Sequence, residues 1–315
     1  KANGLIERNQ VKLIRNKKQD VLLNQSLGKL NAVRDIFKAE YQSLRNNLRQ
    51  LVLTDFIRKD FQIHLGDNSA QFTQLGVLSY FESIRREIIE QSWTVPVAVL
   101  TGSLVIIPTS AKEHLERLIP NSRLSYDVIG QLSQEDYLKV SVSGSHHDLV
   151  TALTQLFQEG HIQVIIGTKS LLGEGWDAPC VNSLILASFV GSFMLSNQMR
   201  GRAIRVWPDN PNKTSNIWHL VSINLSPRRW FDFQDEEEKY DETLELQLYA
   251  LSPDLDLLDR RMTQFLGLHY QEPTIESGID RLDLNQITFS RKGLEKLNQN
   301  AITLSQKRQE LKDRW

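Results

Sequence analysis

The sequence predicts an α/β fold, a parallel β-sheet flanked by helices, with a helical segment before it and a mainly helical one after it. Two observations predict this. From residue 137 to residue 223 strand-like and helix-like stretches alternate, which indicates βαβ units and a parallel sheet covered on both faces. Upstream, the run LVLTDF at 51–56 is short and largely apolar, as a fully buried strand would be.

Each element follows in order. Residues 1–50 are expected to be a helical lead-in, because Leu27, Leu30, Val33, Ile36 and Phe37 recur at helical spacing. After the strand at 51–56, helical patterning returns at 81–91 and a second apolar run covers 95–108. Residues 109–137 mix helical and turn-like text punctuated by Pro120 and Gly130, so about 103–137 is expected to be an insertion. The alternating part comprises strands at 138–142, 162–167, 181–189 and 217–223, with helices at 148–159 and 195–206. The main domain is therefore expected at 51–225. Residues 226–315 open with the acidic run 235–238 and continue with helical patterning at 255–266 and 294–315, a separate helical appendage without strands.

Composition excludes several function classes. Apolar residues make up 40% and charged residues 24%, the profile of an ordinary globular chain. The net charge is −1, so any contact with nucleic acid must come from local patches. A single cysteine, Cys180, rules out an internal disulfide and a multi-cysteine zinc site, and fits a reducing cytoplasm. No apolar run approaches the ~18 residues of a membrane span. The first twenty residues lack the apolar core of a signal peptide. The chain does not open on Met and is expected to be a piece of a longer polypeptide.

The strongest chemical signal is the octet QMRGRAIR at 198–205. On a helix Gln198, Arg202 and Arg205 fall at i, i+4 and i+7 and share one face. Two guanidiniums there suit the terminal phosphate of a nucleotide, because they stay charged and donate in a fork. Gly201 would keep the helix thin where something else approaches. A basic helix face that is merely solvated would not need the glutamine and glycine. Nor would it account for the second motif just upstream, GTKSLLGEGWDAP at 167–179, which follows the strand at 162–167. Its glycines Gly167, Gly173 and Gly175 permit positive φ, Thr168 and Ser170 bring hydroxyls, and Asp177 brings a fixed acceptor.

Together these motifs resemble the C-terminal RecA-like domain of superfamily-two DEAD/DEAH-type helicases and restriction- or repair-type translocases, over residues 50–223. The octet matches their sixth motif, Q-x-x-G-R-x-x-R. The resemblance implies that Arg202 contacts the ATP phosphates, Arg205 is the arginine finger and Gln198 couples two lobes. The 167–179 segment resembles the fifth motif, which implies a nucleic-acid contact for Thr168 and nucleotide communication for Gly175 and Asp177. The family pattern is T-x5-G-x-D, whereas six residues separate Thr168 from Gly175, so this loop is one residue longer. Residues 51–56 resemble the fourth motif. Ser143, Gly144 and Ser145, at the end of the strand at 138–142, match a phosphate-backbone-binding strand end. The helix at 149–157 followed by Gly160 matches the approach to the fifth motif.

No G-x-x-x-x-G-K-[ST] loop occurs; Gly28 and Lys29 are followed by Leu30, with Leu23 where the first glycine should be. Asp235 and Glu236 follow the other motifs in the wrong order for a magnesium box and read as a solvated acidic run. The resemblance thus implies that ATP and Mg2+ are held mainly by an N-terminal RecA-like lobe of the same polypeptide. His146 and His147 read as a solvated or phosphate-facing pair, since adjacent histidines point different ways and no ligand cluster surrounds them. Trp176 could stack on a base or pack in the core, and core is favoured; Trp207, Trp218 and Trp230 read as packing residues. Lys17, Lys18, Arg45 and Arg49 read as solvated helix faces, with a basic surface as the alternative.

The expectation is a motor lobe that supplies an arginine finger and backbone contacts to an ATP-dependent helicase or translocase, cytoplasmic and unconnected to membranes. The style of EGWDAP favours DNA over RNA by analogy alone. Two other readings stand beside it: a RecA-like interaction module without turnover, and the motor subunit of a restriction or phage-defence nuclease.

Overall fold

The computed structural model describes residues 6–7, 10–11, 27–169, 176–188, 193–223, 252–269, 272–282 and 291–313. It divides into two compact units, one formed by Lys1–Ser26 with Val221–Trp315 and the other by Leu27–Leu220. In the first, β1 (Ile6–Glu7) and β2 (Gln10–Val11) pair antiparallel.

The unit Leu27–Leu220 is an α/β fold of the RecA-like kind built on one eight-stranded sheet. After α1 (Gly28–Leu44) come β3 (Gln50–Thr54), α2 (Val77–Glu90), β4 (Val97–Leu100), β5 (Val105–Pro108), α3 (Lys112–Leu118) and β6 (Leu124–Asp127). Then follow β7 (Tyr137–Val142), α4 (His146–Glu159), β8 (Val164–Thr168), β9 (Ser183–Leu186), α5 (Phe193–Ala203) and β10 (Asn216–His219). The sheet order is β10-β9-β3-β8-β4-β5-β7-β6. The five strands from β10 to β4 are parallel, and the last three are added antiparallel.

The parallel arrangement follows from the sequence. β3, β4, β8 and β9 are buried at every position, which only a sheet covered on both faces allows. Successive residues of a strand point to opposite faces. Leu51, Leu53, Ala98, Leu100 and Ile165 therefore pack with Leu153 and Phe157 of α4 and Met199 of α5. Val52, Val97, Val99, Val164 and Ile166 pack with Val33 and Phe37 of α1 and Phe81 and Ile84 of α2. Ser145 caps α4, its Oγ accepting from the His147 amide at 3.2 Å, and Gly160 closes it at φ +92°.

The structure differs from the sequence reading in several places. α1 lies inside the α/β unit, since its apolar stripe closes the second core, and the unit begins at Leu27 instead of 51. The apolar run 95–108 is two strands, because Thr101 Oγ1 accepts from the amides of Ser103 and Leu104 (3.3 and 2.9 Å) and folds the chain back. The expected insertion at 103–137 extends the sheet: β5 pairs antiparallel with β4 and β7, and β6 pairs antiparallel with β7 at the edge. The unit formed by Lys1–Ser26 with Val221–Trp315 contains α6 (Pro253–Met262), the antiparallel pair β11 (Leu266–Leu268) and β12 (Ile275–Ser277), α7 (Arg291–Gln306) and α8 (Arg308–Asp313). It is thus not free of strands. Asp235, Glu236 and Trp230 lie outside the described residues.

Candidate functional site

Parallel strands gather their carboxyl ends at one edge of the sheet, where ligands of open α/β sheets bind. Here that edge opens into a cleft of about 390 Å³ lined by Asp55, Phe56, Ile57, Gly102, Ser103 and Thr168. These residues follow β3 and β4 or end β8, three strands adjacent in the sheet. Thr168 is buried, 8% exposed, at the floor. The neighbouring Lys169 Nζ pairs with Asp55 Oδ1 at 2.5 Å, so the acid at the rim is neutralised. Phe56 stands half exposed with the Arg58 guanidinium 4.7 Å from its ring centre. Lys169, Asp55 and Arg58 were missed in the sequence, although Lys169 sits next to the predicted Thr168.

Two direction reversals, β4 to β5 and β5 to β7, bring the end of β7 back to the same edge. Ser143 and Gly144 therefore share an edge with Thr168, three strand spacings away, or about 14 Å. Their local partners differ from expectation. The Ser143 amide and Oγ donate to Arg123 O at 2.8 and 3.3 Å, and Arg123 Nε donates back to Ser143 O at 3.1 Å. Arg123 Nη2 bonds Asp148 Oδ2 at 2.7 Å and crosses Gly144, which sits at φ +105°. The Ser145 oxygen is occupied as the α4 cap. The strand end is thus a braced, exposed turn whose cation is Arg123, a residue the motif comparison had no reason to pick.

The arginines lie elsewhere. α5 runs from the carboxyl end of β9 back to the start of β10, so Arg202 and Arg205 sit at the end of the sheet where β9 and β10 begin. Asp177, in the segment entering β9, meets Arg205 there, Nη1 to Oδ1 at 2.5 Å. The 167–179 motif is therefore split, with Thr168 at the carboxyl edge and Asp177 at the other end. Gly175, Gly173 and Ser170 lie outside the described residues.

α5 stops at Ala203, not at 206. The reason is local. The last rung is the Ile204 amide to Arg200 O at 3.1 Å, and beyond it Ala203 O faces Lys213 Nζ and Ser215 Oγ, both at 2.7 Å. Arg205 thus leaves the helix face that Gln198 and Arg202 share, and turns to Asp177. Burial first, then the Arg205 charge, lowers the Arg202 guanidinium from its ordinary pKa, with Asp177 opposing. Arg200 is lowered by burial. Gln198 is exposed, and a Cβ at Gly201 would meet nothing within 4 Å. No described part of the chain needs that helix thin.

The remaining candidates fall as follows. Trp176 is 4% exposed and belongs to the core. Trp218 Nε1 donates to the buried Glu40 at 2.7 Å, and Trp207 to Asp209 at 3.1 Å. Arg49 is buried, with its guanidinium on the carbonyls of Asn46 and Leu48, and so forms no basic surface. Cys180 is buried, which pushes its thiol up to about 12. Among the described residues no three His, Cys, Asp or Glu side chains gather to hold a metal, and no helix is long and apolar enough to cross a membrane.

No family model and no curated protein matches the chain. Several solved structures resemble it, among them two motor-protein domains. The C-terminal part of the Fun30 ATPase domain shares 14% identity at TM-score 0.33, covering 74% of this chain and 54% of that one. The DUF1998 helicase MrfA bound to DNA shares 12% identity at TM-score 0.34, covering 84% of this chain and 29% of that one. The chain thus spans about half or less of either protein's length.

Proposed function

We propose that the unit Leu27–Leu220 is the second motor lobe of an ATP-dependent nucleic-acid helicase or translocase. The observation that carries this reading is the Asp177–Arg205 pair, which holds an exposed guanidinium beside a second one, Arg202, at the end of α5. A cationic pair of this kind fits the γ-phosphate of a nucleotide bound by another lobe. In this reading Arg205 neutralises charge that develops as the phosphoryl group transfers, Arg202 binds the phosphates, and Gln198 contacts the partner lobe.

Thr168 and the Ser143–Ser145 turn would grip a phosphate backbone along the carboxyl edge, DNA in preference to RNA. ATP and Mg2+ would be held mainly by an N-terminal RecA-like lobe of the same polypeptide, in the cytoplasm. Service to a restriction or phage-defence nuclease would use the same cycle.

The test is ATP hydrolysis by the full-length polypeptide with duplex DNA, single-stranded DNA and RNA side by side. Stimulation by one of them, strongest with DNA, is expected. Absence of hydrolysis with all three, in a protein that still binds its partners, would favour the interaction-module reading.

A further inference from the structure

We propose that Lys213, assisted by Ser215, is a positioning residue that fixes the Arg202–Arg205 end of α5 against the segment carrying Asp177. This rests on the reading of Arg202 and Arg205 given above. Lys213 Nζ donates to Ala203 O at 2.7 Å and to Val181 O at 2.8 Å. Ser215 Oγ lies within 2.7 and 2.9 Å of the same two oxygens. Ala203 follows Arg202 directly, and Val181 lies in the same short segment as Asp177. One ammonium therefore ties together the chain on both sides of the Asp177–Arg205 pair.

The physics of a helix end explains why a cation does this. The last carbonyls of a helix have no partner within it, and the dipole there favours positive charge. By holding Ala203 O, Lys213 fixes the last residue of the helix, after which the chain leaves the helical path. Arg205 then meets Asp177 instead of continuing along the helix face. Ser215 carries a single proton and donates to one of the two oxygens at a time, so the ammonium supplies the remaining bond even though burial disfavours it, lowering its pKa to about 8. A charge kept where burial opposes it is accounted for by the placement it enforces.

The test is Lys213→Met in the full-length polypeptide, with Lys213→Arg as the conservative variant. Misplacing a catalytic group by ~1 Å costs roughly 100-fold, so kcat for stimulated ATP hydrolysis should fall about 10- to 100-fold with KM for ATP little changed. At neutral pH the melting temperature should stay near the parent's. Lys213→Arg, which can span both carbonyls, should recover most of kcat. An unchanged kcat, or a loss that merely tracks the folded fraction, overturns the proposal. Hydrogen exchange gives a second reading that needs no turnover. Amides at 198–205 should exchange faster in Lys213→Met, and unchanged exchange there overturns the clamp. If the parent protein itself lacks ATPase, the motor reading fails while exchange still decides the clamp.

Discussion

Arg205, two residues past the end of α5, is held by Asp177, Nη1 to Oδ1 at 2.5 Å, with the two side chains 49% and 52% exposed. A pair that exposed contributes at most about 1 kcal/mol to folding, so its value lies in aim. Arg205→Ala should leave the fold intact and lower kcat of the full-length ATPase by roughly 10³-fold or more. Arg205→Lys should not restore it, because an ammonium lacks the fork. Asp177→Asn should lower kcat without raising KM for ATP, since the phosphates lose a competitor for Arg205 while the guanidinium loses its guide. Steady-state ATPase with circular dichroism as a folding control decides both. Near-parental turnover by Arg205→Ala would remove the arginine-finger assignment.

Gly201 illustrates how far the sequence could be read. The octet was legible because its residue types sit next to one another, and their chemistry is that of phosphate. The buried parallel strands were legible because uninterrupted apolar runs have few other uses. What stayed hidden depends on contacts distant in sequence. Thr101–Gly102–Ser103 carries no strong hairpin signal, so β4 and β5 look like one run in the sequence, and nothing there announces that β7 pairs with β5. Lys213 acts on two backbone carbonyls, which no side-chain pattern announces.

A Cβ at Gly201 has open space in this chain. Gly201→Ala should therefore not lower the melting temperature, and relief of glycine's helix cost should raise stability by up to about 1 kcal/mol. In the full-length polypeptide the same variant should lose ATPase if another lobe packs there. Thermal melts and ATPase rates on one preparation test the two halves separately. A fall in stability without a fall in activity would show that the glycine serves this unit alone.

Thr168 offers a hydroxyl at the floor of the cleft without adding charge. Thr168→Val keeps its volume and would remove the one hydrogen bond that the proposed phosphate contact supplies. Hydrogen bonds to charged groups contribute about 1.5–3 kcal/mol, so affinity for nucleic acid should drop roughly tenfold or more. The slope of log affinity against log salt should not change, because no counterion-releasing cation is lost. Binding isotherms at several salt concentrations check this, and an unaltered affinity would move the contact away from Thr168.

Lys213 also predicts a pH dependence whose sign can be worked out. Burial lowers its pKa from the ordinary 10.5 to about 8 in the folded chain, and the unfolded chain keeps the ordinary value. Between these two values the unfolded state binds the extra proton, so the Lys213 contribution to stability rises with pH and then levels off. The melting temperature of the parent relative to Lys213→Met should increase from pH 8 towards pH 10. A difference that is flat across this window would mean that the ammonium is better solvated than its surroundings imply.

Glu82 is the fully buried acid that holds the segment behind the cleft. Its carboxylate accepts from Arg85 Nε and Nη2 at 2.8 and 2.7 Å, from Arg86 Nε at 2.9 Å and from the Gly66 amide at 3.1 Å. Arg86 in turn donates to the carbonyls of Asp67 and Ala70, which pins the chain between β3 and α2. Removing the acid leaves two guanidiniums without their counter-charge. Glu82→Ala should cost roughly 3–5 kcal/mol, a fall of about 6–20 °C in melting temperature for a unit of this size. The arginines would then turn to solvent and the 66–70 amides should exchange faster. A loss below about 1 kcal/mol, the scale of an exposed pair, would mean that water reaches the cluster.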